Sequence, residues 1–316
     1  VKRNLIVVVS VYFILSLSGC TSLAEDTPSL RVAAVQFEVR EEVYADENDF
    51  REAVEGLIER AVRERKADLI IFPEYTSVFL SLQEYTPVVA DSDTFLEGFT
   101  KLQLLDNRIE SLPDLFFARG EEVEKQMDTL WGGLAEHYGI YIVAGTTFVP
   151  DRTEDGKPVL HNRAFVYGPD GGRLYTQDKV FLTDFETGIL KLSPGTLNKA
   201  ERFIVEENEI VLSICRDTFM EEWDDRFSGA DLWLDLKANG DVYDQDQVEN
   251  FRKALPERIS HTDIPYGVTV CLTGSYLDLF WEGESSVIRK TGSGYSVEKY
   301  AKNWTGEDIL YFSLVN

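Results

Sequence analysis

The 316 residues are 44% hydrophobic and 28% charged, which is enough apolar material for one large domain or two small ones and too much for a disordered or fibrous chain. With 31 Lys and Arg against 56 Asp and Glu the formal charge is −25, which argues against nucleic acid as a partner because phosphate binding is driven by clustered basic side chains. Three cysteines, Cys20, Cys215 and Cys271, make no disulfide framework and no Cys-x-x-Cys pair, and His137, His161 and His261 are scattered, so no metal centre is expected.

The N-terminus opens with Lys2 and Arg3, continues in an apolar run from Leu5 to Leu17, and ends in small residues before Cys20, the three-part layout of a secretory signal. The run falls short of the roughly 20 residues that span a bilayer. Leu17-Ser18-Gly19-Cys20 resembles the bacterial lipobox, in which the peptide bond before the cysteine is cut and its thiol is lipidated. That resemblance implies a signal peptide over 1–19, a polar tether over 20–30 carrying lipidated Cys20, and an extracytoplasmic protein partnered with a membrane through its anchor. Removal of Lys2 and Arg3 would leave the mature chain more acidic still, and the absence of an acidic residue at Thr21 or Ser22 favours sorting to an outer membrane.

From Arg31 onward, apolar strands alternate with amphipathic helices. Arg31 to Val39 reads as a buried strand interrupted by Gln36. Phe50, Ala53, Val54, Leu57, Ile58, Ala61 and Val62 recur at three- and four-residue spacing and predict a helix over Asp49 to Arg65. "ADLIIFPE" is a short strand closed by Pro73, with Glu74 at its exit. Ser77 to Arg119, with its turn-like "DSD" and "LPD", reads as a loop-and-helix elaboration. A helix from about Glu121 to His137 then leads through Gly139 into the strand "IYIVAG" and a loop after Thr147.

"AFVYGPDGGRLYTQDKV" predicts a hairpin turning at Pro169-Asp170-Gly171-Gly172. Further strands are expected at Phe203 to Val205, Ile210 to Cys215, Leu232 to Leu236 and Val268 to Leu272. Nothing in the composition marks a second domain, so residues 31–316 form one α/β domain in which functional groups gather where strands end.

Three polar groups stand at such exits: Glu74, Lys179 and Cys215. Singly, each has an ordinary structural explanation, since cysteine packs well in cores and exposed charge is common. Together, "IIFPEYT", "YTQDKVFLTDFE" and "IVLSICRDTFMEEW" occur in the order of three motifs of the carbon–nitrogen hydrolase, or nitrilase-like, family, which the chain resembles. "RVAAVQF", "YGIYIVAGTTF", "HNRAFVYGPDGG", "GADLWLDLKAN" and "FWEGESSVI" extend the likeness over most of the mature chain.

The resemblance implies a four-layer α-β-β-α sandwich, often in a homo-oligomer, and hydrolysis of a small non-peptide amide. In it Cys215 is the nucleophile, Glu74 the general base and acid, and Lys179 the oxyanion stabiliser, with Glu186 supporting them and no metal or organic cofactor. The chemistry is consistent with the residue types, because a free thiol of pKa about 8.5 is a poor nucleophile at neutral pH without a base or cation nearby.

Arg216 stands where the family often has an aromatic residue. It either pairs with one of the surrounding carboxylates, which their abundance favours, or anchors an anionic substrate. Ser260 to Ser275 replaces an Arg-rich helix and an Asn-Gly strand, with Cys271 near the usual asparagine and read as a core strand residue. His161 is a rival partner for Cys215 that spacing alone does not exclude. The alternatives to an amidase are an inactive surface lipoprotein that uses the fold for binding, an N-acyltransferase and a nitrilase.

Overall fold

The computed structural model describes residues 29–315; Cys20, the signal-like segment and most of the tether lie outside them. Strand β1 (Leu30–Val39) is followed by α1 (Glu47–Arg65), whose first turn is capped by the Asp46 carboxylate accepting from the Asn48 and Asp49 N–H groups. β2 (Leu69–Phe72) leads into an insertion made of a 3-10 segment (Val78–Tyr85), α2 (Thr86–Val89), α3 (Phe95–Leu105) and α4 (Leu112–Met127). A π turn (Asp128–Gly132) joins α4 to α5 (Gly133–Tyr138).

Then come β3 (Tyr141–Arg152), β4 (Pro158–Tyr167), β5 (Arg173–Asp178), α6 (Asp184–Gly188), β6 (Phe203–Val205) and β7 (Asn208–Ile214). After the 3-10 turn Cys215–Phe219, the chain continues through α7 (Glu222–Phe227), β8 (Leu232–Lys237), α8 (Gln245–His261) and β9 (Tyr266–Tyr276). It closes with β10 (Leu279–Trp281), β11 (Ser286–Thr291), β12 (Gly294–Tyr300) and β13 (Asp308–Leu314).

The main strand order is β5-β4-β3-β2-β1-β9-β8-β7-β6. β1 joins two halves: Val32 to Ala34 pair in parallel with β2, and Phe37 to Val39 pair in parallel with β9. Alternation along the strands then decides the layers. Ala33, Val35 and Phe37 face a core shared with Phe50, Val54 and Leu57 of α1. Leu30, Val32 and Ala34 face the opposite way, into a core with Leu212, Leu234 and Val268 that holds the two sheet halves together. Val211 and Trp233 look outward onto Trp223 and Phe227 of α7 and Leu255 and Ile259 of α8. Helix, sheet, sheet, helix is therefore the order of layers, as the family resemblance implies.

The same topology gathers chain exits at one end. β2 is parallel to β3, and β5 runs with β3 because each is antiparallel to β4. β7 and β8 are parallel to β9, and β9 to β1. Residues just past β2, β5, β7 and β8 thus share one edge, and these are Glu74, Lys179, Cys215 and Ala238.

Two local expectations are corrected, and some elements were not anticipated. The helix foreseen from Glu121 begins at Leu112, because "LPD" is a helix start: Ser111 donates from its backbone and hydroxyl to the Asp114 carboxylate at 2.7 Å, and Pro113 sits in the first turn, where no N–H is needed. β3 does not end in a loop after Thr147 but runs to Arg152, carried by its ladder with β4 as far as Arg152 opposite Pro158. α8, which carries Pro256 inside it, and the strands β10 to β13 were not foreseen. No helix among the described residues is long and apolar enough to cross a membrane.

Candidate active site

β7 ends at Ile214, and Cys215 turns the chain with φ +50°, a left-handed conformation that costs a non-glycine residue energy and needs support. Asp217 supplies it. Its buried carboxylate accepts the N–H of Ile214 at 3.1 Å, of Val180 at 3.1 Å and of Phe181 at 2.8 Å, so one side chain ties the cysteine turn to the segment that bears Lys179. Burial nevertheless pushes this carboxyl up to about 7 against those three donors.

On the other side, the Lys237 ammonium donates to the Cys215 carbonyl oxygen at 3.2 Å and pairs with Asp235 at 3.1 Å. It also lies 4.7 Å from the ring centre of Phe219 and 5.0 Å from that of Phe251. Both members of the pair are 0% exposed.

Glu74 follows Pro73 at the exit of β2, and its neighbour Tyr75 has φ +65°. The close turn requires Gly145 opposite: a Cβ there would lie 2.1 Å from the Pro73 carbonyl oxygen, and Gly145 itself has φ +69°. Glu74 Oε1 accepts from Lys179 Nζ at 2.9 Å and Asn162 Nδ2 at 2.8 Å, while Oε2 accepts from the Ala238 N–H at 2.9 Å. A carboxylate has about four acceptor positions. Three are filled by the protein, which leaves one for a thiol or a reacting water.

Lys179 also pairs with Glu186 at 2.9 Å, and Glu186 is held by Asn162 at 3.1 Å, the Tyr75 hydroxyl at 3.0 Å and the Thr183 N–H at 2.8 Å. Glu74, Lys179 and Glu186 are all 1% exposed or less.

The charges set one another. Burial raises Glu74 above the ordinary glutamate range in spite of Lys179. Burial also pushes Glu186 up, but Lys179 and the Thr183 N–H outweigh it and hold the group low. Burial works against the Lys179 ammonium, yet Glu74, Cys215 and Glu186 together raise it well above the ordinary lysine range, so it stays charged. Burial and the nearby Glu74 charge push the Cys215 thiol up to about 12 although Lys179 and Lys237 oppose them. The resting cysteine is a neutral thiol beside an ion pair.

The structure therefore brings Glu74, Lys179, Cys215 and Glu186 together. Arg216 is placed differently from the favoured expectation: it is exposed and forms no ion pair among the described residues. Cys215 and Asp217 both turn inward, so the side chain between them points to solvent. His161 is no partner for the thiol. It precedes inward-facing Asn162 on β4 and so faces away, with Nδ1 bonded to the Ser193 carbonyl oxygen at 2.9 Å. Cys271 is buried on β9.

Asn162, Tyr75 and the Asp235–Lys237 pair escaped the sequence reading. "DLK" at alternate positions of a strand did signal two charges on one buried face. Among the described residues no group of three or more His, Cys, Asp or Glu is placed to hold a metal ion.

The layered α-β-β-α architecture is that of the nitrilase-like hydrolases. The carbon-nitrogen hydrolase family model matches residues 31–223, and the chain belongs to that family. Among solved structures it is similar to a carbon-nitrogen hydrolase from Helicobacter pylori, at 18% identity over 90% of this chain and 89% of that one, with a TM-score of 0.63. An amidase from Nesterenkonia sp. aligns at 18% identity over 91% of both chains with a TM-score of 0.61. Nit3 of Saccharomyces cerevisiae, from branch 10 of the nitrilase superfamily, aligns at 18% over 90% of both with 0.59. No curated protein matches the chain in sequence. A Glu-to-Gln mutant of the Nesterenkonia amidase shows the result of Michael addition of acrylamide at its active-site cysteine.

Proposed function

We propose that the protein hydrolyses a non-peptide amide through a thioester on Cys215. The observation that carries this reading is the junction described above: Asp217 binds the cysteine turn to the Lys179 segment, and the Ala238 N–H binds Glu74 beside Lys237 and the Cys215 carbonyl. Glu74 takes the thiol proton through its remaining acceptor position as sulfur attacks the carbonyl carbon. The oxyanion forms against the Lys179 ammonium and the backbone N–H of Arg216, which sits in the first turn of its short helix and so has no acceptor within it. Each such donor contributes about 3 kcal/mol to the transition state.

Collapse breaks the C–N bond, and protonated Glu74 returns its proton to the leaving amine. Water then adds to the thioester, giving its proton to Glu74, and the expelled thiolate is reprotonated as the acid departs. One carboxylate serves both half-reactions. Glu186 and Asn162 do not touch the reacting atoms in this scheme; they hold Lys179 and Glu74 at hydrogen-bonding distance from each other.

Wild type and Cys215→Ala, assayed on a panel of small amides, carbamoyl compounds and ureides, test the reading. Hydrolysis by the wild type and its loss in a folded Cys215→Ala variant are expected. Full activity in the variant would overturn it, and no hydrolysis of any of these compounds by the folded wild type would favour a binding module.

A further inference from the structure

Beside the charged cluster the fold encloses a cavity of about 330 Å³ that no polar atom faces. Its walls come from separate stretches: Tyr75 after β2, Phe116 of α4, Phe148 of β3, Phe185 of α6 and Trp281 of β10. Tyr75 is the wall it shares with the site. The Tyr75 ring lines the cavity while its hydroxyl turns away to Glu186, which also holds Lys179. Phe185, likewise, immediately precedes Glu186.

The mouth is rimmed by Leu96, Phe185 and Ile189, which are 73%, 55% and 57% exposed, an apolar surface gathered at one opening. The volume is about twice the roughly 150 Å³ of a dry apolar cavity that takes up benzene, and it falls within the range of small-ligand sites. A polar group placed there would lose its water and find no partner.

We propose that this cavity receives a hydrocarbon substituent of the amide substrate, a medium alkyl chain or an arylalkyl group, and so makes the enzyme selective for hydrophobic amides. The proposal rests on the amidase reading for its position next to the reacting carbonyl. Each methylene that enters is expected to raise kcat/KM about fourfold, the equivalent of about 0.8 kcal/mol per buried CH₂, until the cavity is full.

The test compares two homologous series, primary alkanamides and N-alkyl acetamides, which place the chain on the acyl or the amine side. A stepwise gain in either series, and its collapse toward a ratio near one in Leu112→Trp, where a larger side chain on the cavity wall at the start of α4 fills the space, are the expected results. Wild-type hydrolysis with no dependence on chain length in either series would overturn the cavity proposal and leave the amidase reading standing. Calorimetric binding of the same amides to Cys215→Ala separates the two in the other direction. Affinity that grows with chain length there, without turnover by the wild type, supports the cavity and sinks the amidase reading, whereas affinity independent of length sinks the cavity.

Discussion

At the scale of single residues, the site is a balance between one cation and two carboxylates sealed from water. Glu74 must be ionised to accept the thiol proton, and burial raises it from the ordinary value of 4.5. The acid limb of kcat/KM is therefore expected to lie above pH 4.5; a limb at or below that value would contradict the assignment. With the thiol pushed up to about 12, no alkaline limb from Cys215 is expected near neutral pH. Glu74→Gln should lower kcat by about 10²- to 10⁴-fold, as is usual when a general base is removed. Lys237 carries a different burden. Lys237→Met leaves Asp235 charged and unpaired in the core, a loss on the order of 3–5 kcal/mol, whereas Lys237→Met combined with Asp235→Asn should recover much of it in denaturant unfolding. Equal losses in the single and double variants would show that the pair is not what holds this region.

At the scale of elements, the apolar runs leading to Phe72 and Ile214 made their strands legible, and the polar residue just past each one marked the edge where chemistry collects. Asn162 was not legible, because a polar residue in an alternating strand ordinarily faces water, and only the fold shows that it faces Glu74. The cavity was hidden for a related reason: its walls are scattered along the chain, and the insertion that supplies Phe116 carries no motif. α8 was missed because few apolar residues mark its face: the buried ones are Ala254, Leu255, Pro256, Arg258 and Ile259 in a 17-residue helix that is otherwise mostly polar. Arg216 shows the limit of counting charges, since its carboxylate-rich surroundings in sequence do not become contacts once the turn points it outward. The strand exits also depend on backbone that tolerates close approach. Gly145→Ala adds a Cβ against the Pro73 carbonyl at a left-handed φ, so it should destabilise the fold by more than about 1 kcal/mol and lower activity by displacing Glu74; unchanged melting and turnover would contradict the packing described for this turn.

At the scale of the whole molecule, buried carboxyls and surface acidity act in the same direction with pH. Asp217 is held at about 7 in the fold against an ordinary 3.8, so across that interval the folded state keeps a proton that the unfolded chain has lost. The stability it contributes is complete below about pH 4 and is lost as pH rises through about 7. Glu74 and Asp235 shift in the same sense, and Glu186, shifted the other way, acts only below its ordinary 4.5. Self-repulsion at a formal charge of −25 adds to the trend. The melting temperature is therefore expected to fall between about pH 5.5 and 8.5 and to recover partly with added salt; a rise across that range would contradict this. The anchor proposed at Cys20 is tested separately by metabolic labelling with a radiolabelled fatty acid, which Cys20→Ala should abolish. The central claim, that Cys215 forms an acyl-enzyme, is tested most directly by rapid-quench intact-mass measurement during turnover of a slow amide substrate, followed by peptide mapping. The account predicts a mass gain equal to the acyl group on the peptide containing Cys215 and none in Cys215→Ala; turnover at full rate without such an adduct, or an adduct on another residue, would contradict it.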